Sequence, residues 1–197
     1  MATKQPFFQR FQSSDPQKLL RQVQQEVEQL EQARRVQDEP WQLELLSGIG
    51  GNTTILGKET EALPFIEQAL ALARKRGDKP FEIENLLNLA TTQQYLGKRE
   101  LAQALFQQAL DIGRTHGVRD YEDFVLHHRG RCYVEQGKID EARASFEQAL
   151  VLREEKGDQR FIASTRNALA ALNKPLNEIL GTTVSFSRDE PVDTTDE

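Results

Sequence analysis

The sequence predicts an all-α protein, an α-solenoid in which antiparallel helical hairpins stack one on the next. Three observations carry this expectation. The first is an internal repeat. Displacing the 197-residue chain against itself by 40 aligns Gly57-Lys58 with Gly97-Lys98 and Gly137-Lys138, and Ala62 with Ala102 and Ala142. It also aligns Gln68-Ala69-Leu70 with Gln108-Ala109-Leu110 and Gln148-Ala149-Leu150, and Gly77 with Gly117 and Gly157. At ordinary residue frequencies of roughly 6 %, chance supplies well under one such triple identity per 40 columns. The second is apolar spacing: Leu101, Ala102, Leu105, Phe106, Ala109, Leu110 and Ile112 recur as one helical stripe. The third is composition. The chain is rich in Gln, has three Tyr and few Val or Ile, and so favours helix over strand.

Softer columns keep the same interval. Trp41, Phe81, Tyr121 and Phe161 form an aromatic column, and Gly50, Ala90, Gly130 and Ala170 a small-residue column. Ile66, Phe106 and Phe146 form a large apolar one. The repeat spans about residues 15 to 173. An isolated hairpin cannot cover its own stripe, because ordering each residue opposes folding by ~1–2 kcal/mol while a buried Leu or Phe returns only ~1.5–3. Neighbouring hairpins supply the missing cover. The small column marks where an adjacent helix passes close.

The elements follow in order. An unpaired first helix covers Asp15–Gln37, with Asp15 as N-cap and Pro16 at its first position. Its Leu20, Val23, Val27 and Leu30 cap the stack or, as the alternative, pair with a second chain. Helices are expected at 41–56, 59–76, 80–96, 99–116, 120–136, 139–156 and 159–173, with a short helical turn at 175–180. Gly97, Gly117 and Gly137 stand as C-caps. Pro40 and Pro80 sit at helix starts, where a missing N–H matters little. Pro64 is expected within the first turn of its helix, or that helix starts late. Gly48, Gly50 and Gly51 lack the preceding strand and Gly-Lys-Ser/Thr ending of a phosphate loop. The repeat puts them inside a helix, which each weakens by ~1 kcal/mol relative to Ala, so a kinked or mobile first repeat is expected. Three regions result: an arm (1–14) bearing Phe7, Phe8 and Phe11, a repeat domain (15–180), and an acidic tail (181–197). The tail is expected to be disordered; the alternative is that Val184 and Phe186 occupy a groove of this or a neighbouring molecule.

Charge and cysteine count exclude several classes. The net charge of −6 argues against a nucleic-acid partner. A single Cys excludes a disulfide framework and a four-Cys zinc site, and suggests a reducing compartment, hence a cytoplasmic protein. No apolar run approaches ~18 residues, so no membrane span is expected, and the N-terminus makes a poor signal peptide.

The hairpins resemble the tetratricopeptide repeat. The family's Ala-x3-Phe-x2-Ala pattern reads here as Ala102-x3-Phe106-x2-Ala109 and Ala142-x3-Phe146-x2-Ala149, with Ala62-x3-Ile66-x2-Ala69 as the first copy. Leu86-x2-Leu89-Ala90 and Leu126-x2-Arg129-Gly130 stand where the family has aromatic-x2-Leu-Gly, and Tyr133 at its later aromatic position. The period of 40 rather than 34, and the absent repeat-ending Pro, are similar to the longer-helix variant of kinesin light chains and G-protein-signalling modulators. The resemblance implies a right-handed superhelix whose first helices line a concave groove. Groove positions would be Glu44, Ser47, Gly51 and Thr54; Glu84, Leu87, Asn88, Thr91 and Tyr95; Phe124, His127, His128, Arg131 and Glu135; and Ser164, Asn167 and Ala171.

Within that groove the segment Phe124–Cys132 stands out, because all three His of the chain (His116, His127, His128) lie near it with Arg114, Arg119, Arg129 and Arg131. One reading is an anion site with Arg131 as a fork for carboxylate or phosphate. The other is a solvated face balanced by Asp120, Glu122 and Asp123. His128 and Cys132 share a helical face, but no third group orients them, and Cys132 reads as a small packing residue. No catalytic residue, metal or cofactor is assigned. The expected function is a non-enzymatic scaffold or adaptor that holds a peptide or helix of another protein. The alternative is a small regulator or immunity-type inhibitor acting through convex or terminal surfaces. A homodimer through the first helix or the tail is a further option.

Overall fold

The computed structural model describes residues 13–175 and residue 178. Phe7, Phe8 and Phe11 of the arm, and the tail with Val184 and Phe186, lie outside the described residues, as does most of the expected turn at 175–180. Among the described residues there are eight helices and no strand: α1 (Pro16–Arg35), α2 (Glu39–Ile55), α3 (Glu59–Arg76), α4 (Lys79–Tyr95), α5 (Arg99–His116), α6 (Glu122–Glu135), α7 (Ile139–Lys156) and α8 (Gln159–Ala171). Each helix packs on the next, and α2 reaches α4 and α4 reaches α6 across the hairpins. The result is a solenoid with α2, α4, α6 and α8 as the first helices of successive pairs.

Local chemistry sets the ends. Asp15, Asp38, Asp78 and Asp158 accept the backbone N–H of Lys18, Trp41, Phe81 and Arg160, which satisfies a donor that a helix start leaves open. At the other end, α3, α5 and α7 stop at Gly77, Gly117 and Gly157, with φ of +68°, +70° and +80°. A left-handed backbone strains any residue with a Cβ, so glycine suits this stop. The same column after α1 holds Gln37, at φ +56° the one non-glycine residue with positive φ among the described residues. Its turn repeats the hydrogen bonds found 40 residues on: Asp38 N–H to Ala33 O, as Asp78 N–H to Ala73 O.

Three expectations are corrected. Pro64 lies inside α3, which starts at Glu59. The ring removes the N–H that Thr60 O would have accepted, but both residues are exposed, so the carbonyl is open to solvent. Gly48, Gly50 and Gly51 lie inside α2, where the repeat places them. Gly50 is a packing requirement: a Cβ there would stand 2.4 Å from Ile66 Cγ1 of α3. Gly130 does the same for α6, where a Cβ would meet the Phe146 ring at 2.8 Å. Ala90 is fully buried in the equivalent place, but Ala170 is exposed. Leu101 also leaves its expected stripe and is exposed.

The core follows the stack. One cluster gathers Leu30, Ala33, Leu43, Leu46 and Ile49; a second Leu86, Ala90, Phe106, Leu110 and Leu126; a third Val134, Phe146, Ala168 and Leu172. α1 contributes Leu30 and Ala33 to the first and so packs on the first pair, while Val27 remains partly exposed.

Candidate functional site

The inner faces of α2, α4, α6 and α8 enclose a cavity of about 440 Å³. Leu87, Asn88, Thr91 and Tyr95 line it from α4, and Phe124, His127, His128 and Arg131 from α6. Gly51, Thr54 and Ile55 of α2 close one end, and Arg160, Phe161 and Ser164 of α8 the other. Arg153 enters from α7. Eight of the ten expected site residues therefore share one cavity. Glu84 and Asn167 do not line it. Glu84 accepts the Tyr121 hydroxyl at 3.0 Å, and Asn167 is exposed on α8. Burial holds the Glu84 carboxyl above its usual range, and burial together with Glu84 pushes the Tyr121 phenol up to about 12. Among the other groove positions, Ser47 and Ala171 are buried and Glu44 is exposed, and none of the three lines the cavity.

Polar side chains join the first helices at a regular interval. Asn85 Nδ2 donates to Ser47 Oγ at 2.6 Å, and the Thr54 and Thr92 hydroxyls lie 2.8 Å apart. His127 Nδ1 lies 3.3 Å from Thr165 Oγ1. Each pair is 38 residues apart, two short of the repeat, so each links one first helix to the next. Gly51 leaves room for the Asn88 amide, which a Cβ would meet at 3.6 Å.

Arg153 is the organising residue of the far end, and it was not among the expected ones. It is buried, and Nε donates to Asp123 Oδ2 at 2.9 Å. Nη1 donates to Thr165 Oγ1 at 2.6 Å and to Phe161 O at 3.2 Å, and lies 3.2 Å from His127 Nδ1. The guanidinium stands over both Phe124 and Phe161, 5.3 and 5.2 Å from the ring centres, and those rings meet edge to face at 4.8 Å. Lys156 donates to the second Asp123 oxygen. A signal for this was present in the repeat. Leu43/Ala73 and Ile83/Gly113 become Asp123/Arg153 one period later, an apolar contact converted to an ion pair.

This arrangement fixes the charge states. Burial first, then the charge of Arg153, drives the His127 imidazole down to about 2. Burial and then Arg131 drive His128 down to about 3. Both rings are neutral at physiological pH, and His127 Nδ1 accepts from Arg153. The cavity lining carries Arg131, Arg153 and Arg160 and no carboxylate; Arg160 is exposed and paired with Asp158. Asp123 is not the solvated counter-charge that the sequence suggested, because it is buried under Arg153 and Lys156. Cys132 does not reach the cavity. Its thiol lies 3.8 Å from Arg99 O, and burial pushes its pKa up to about 12, which keeps it protonated. Among the described residues no three His, Cys, Asp or Glu side chains converge as a metal would need, and no helix is long and apolar enough to cross a membrane.

Stacked helical hairpins that present a concave, partly apolar groove define a repeat protein of the TPR-like solenoid class. Tetratricopeptide-repeat models match residues 41–115 and 124–156, more than half of the chain together. The chain belongs to the tetratricopeptide-repeat family. Among solved structures it is similar to the nearly identical TPR-like repeats of a Podosopora anserina protein assigned as a kinesin light chain. Identity is 22 %, the match covers 81 % of this chain and 83 % of that one, and the TM-score is 0.57. A Gln-to-Met variant of the same repeats matches with a TM-score of 0.58 and the same identity and coverage. At that identity the likeness is one of fold. No curated protein matches by sequence. Repeats of this family generally mediate protein–protein interaction.

Proposed function

We propose that this chain is an adaptor that holds an extended or helical segment of another protein in the cavity between α4, α6 and α8. The observation that carries the reading is the lining itself. Leu87, Phe124, Phe161 and Tyr95 offer apolar surface, Asn88 can donate and accept to a ligand backbone, and Arg131 supplies a cationic fork, all at one concave site. The neutral His127 and His128 keep the floor uncharged and leave the positive character to the arginines. The protein works by binding, without a chemical step, inside the cell.

The test is affinity. A partner is captured from the native host, purified, and titrated calorimetrically against Asn88→Ala and Arg131→Ala. Each variant should weaken binding by ~1–3 kcal/mol, with an unchanged helical circular-dichroism signal. Unchanged affinity in both variants would move recognition to the convex or terminal surfaces, as for a regulator or immunity-type inhibitor.

A further inference from the structure

We propose that this chain carries a ligand for its own groove: residues 182–190 fold back so that Val184 and Phe186 cover the apolar lining and Asp189 and Glu190 face Arg131 and Arg160. The inference rests on the groove reading above and names an occupant for it.

Three observations support the match. The first is charge. The cavity lining holds Arg131, Arg153 and Arg160 and no carboxylate, although the chain as a whole has a net charge of −6; Arg153 is paired with Asp123 and Arg160 with Asp158, neither of which lines the cavity. Residues 188–197 carry five acids and one base, so most of that negative charge sits in one short stretch. The second is apolar pattern. Val184 and Phe186 are two apart, so an extended backbone puts both on one face. Leu87, Ile55, Phe124 and Phe161 offer the complementary surface. The third is reach. From Pro175 to Phe186 the chain can extend up to about 36 Å. The way back along α8 from Ala171 to Phe161 is only about 15 Å, at 1.5 Å per helical residue.

Tethering makes a weak fit effective. A segment held by a short flexible connection meets its site at a local concentration on the order of 1 mM. If its intrinsic Kd were about 100 µM, it would fill the groove about ten to one and weaken a partner's apparent affinity about tenfold. The partner then has to displace the segment, and the groove discriminates against weak ligands.

The experiment uses the full chain. A spin label is attached at Val192→Cys; the native Cys132 is buried and stays unlabelled. Amide signals of residues 124–131 and 160–164 should broaden in the labelled protein and recover when the label is reduced. Val184→Ala with Phe186→Ala, or Arg131→Ala with Arg160→Ala, should abolish the broadening. A free peptide of residues 182–197 should bind the Val184→Ala/Phe186→Ala chain about tenfold more tightly than the wild-type chain. Absent broadening, or equal peptide affinity for both chains, overturns the proposal. So does broadening that arises only between labelled and unlabelled molecules, which would assign the segment to a second copy. The two readings fail separately. Groove variants that lose a captured partner, with no broadening from position 192, keep the adaptor and remove the tethered ligand. Broadening with partner binding unaffected by the groove variants does the reverse.

Discussion

At the scale of single residues, the glycines of the first helices have opposite meanings. Gly50 and Gly130 admit Ile66 and Phe146 at distances that no Cβ tolerates. A Cβ on Gly48 would stand 3.8 Å from the Glu26 carboxylate, so there is room for one. Alanine gains ~1 kcal/mol of helix propensity at each site, but overpacking costs ~1–3 kcal/mol where the space is filled. Urea titration should therefore show Gly48→Ala stabilised and Gly130→Ala destabilised. Gln37 is the converse case, a side chain strained at a position that is otherwise glycine. Gln37→Gly should raise stability by ~0.5–1 kcal/mol, measured the same way. The two groove histidines predict the acid response. Their imidazoles lie far below the ordinary 6.5 in the folded protein, so the unfolded chain binds more protons once the pH drops below that value. Stability is complete above pH 6.5 and declines as pH falls. Between pH 7 and 5.5 the loss is about 1 kcal/mol per histidine. Unfolding midpoints across that range should flatten in His128→Gln, and an unchanged slope would contradict the assignment.

At the scale of elements, the Arg153–Asp123 pair binds α7 to α6, and the same guanidinium reaches α8 through Thr165 and the Phe161 carbonyl. It replaces the apolar contact that the two preceding repeats make with Leu43/Ala73 and Ile83/Gly113. A buried pair of this kind contributes geometry more surely than stability. Removing one partner strands the other, so Arg153→Ala should cost ~3–5 kcal/mol, moderated by Lys156. Asp123→Ile/Arg153→Ala, which restores the apolar version, should recover most of that loss. Because Arg153 also stacks on Phe124 and Phe161, the double variant should still bind a partner less well than wild type. Thermal unfolding of the four proteins of the cycle, with calorimetry on the partner, separates the two effects.

At the scale of the whole molecule, stability is a sum over neighbours. α4 touches α2, α3, α5 and α6, whereas α8 rests on α7, meets α6 through Thr165 and Phe161, and leaves Ala170 exposed. Hydrogen exchange should be slowest in α4 to α6 and fastest in α8, with α1 intermediate through Leu30 and Ala33. Uniform protection across all eight helices would contradict a solenoid ledger of nearest neighbours. The same order explains what could be read before any coordinates. The 40-residue interval and its Gly-containing turns place α3, α5 and α7 at both ends, since each turn depends on a few adjacent residues. The tetratricopeptide resemblance implies Leu87, Asn88, Phe124 and Arg131 on one groove, and all four line the cavity. Arg153 escaped because it belongs to a second helix, where the pattern assigns core, and reaches the groove through the gap between pairs. Glu84 was misjudged for the opposite reason, since it sits on the right helix but turns to Tyr121 at the joint.

The chain's own order of residues settles that helices form, where they stop, and that their oily stripes must be covered at a constant spacing, because caps, turns and periodicity act over one or two turns. The tertiary structure alone decides which polar groups close the seams and which face the cavity. That choice depends on how far each hairpin rotates against its neighbour, and the rotation is set by close contacts such as Gly50 on Ile66 and Gly130 on Phe146, between residues that are distant along the chain.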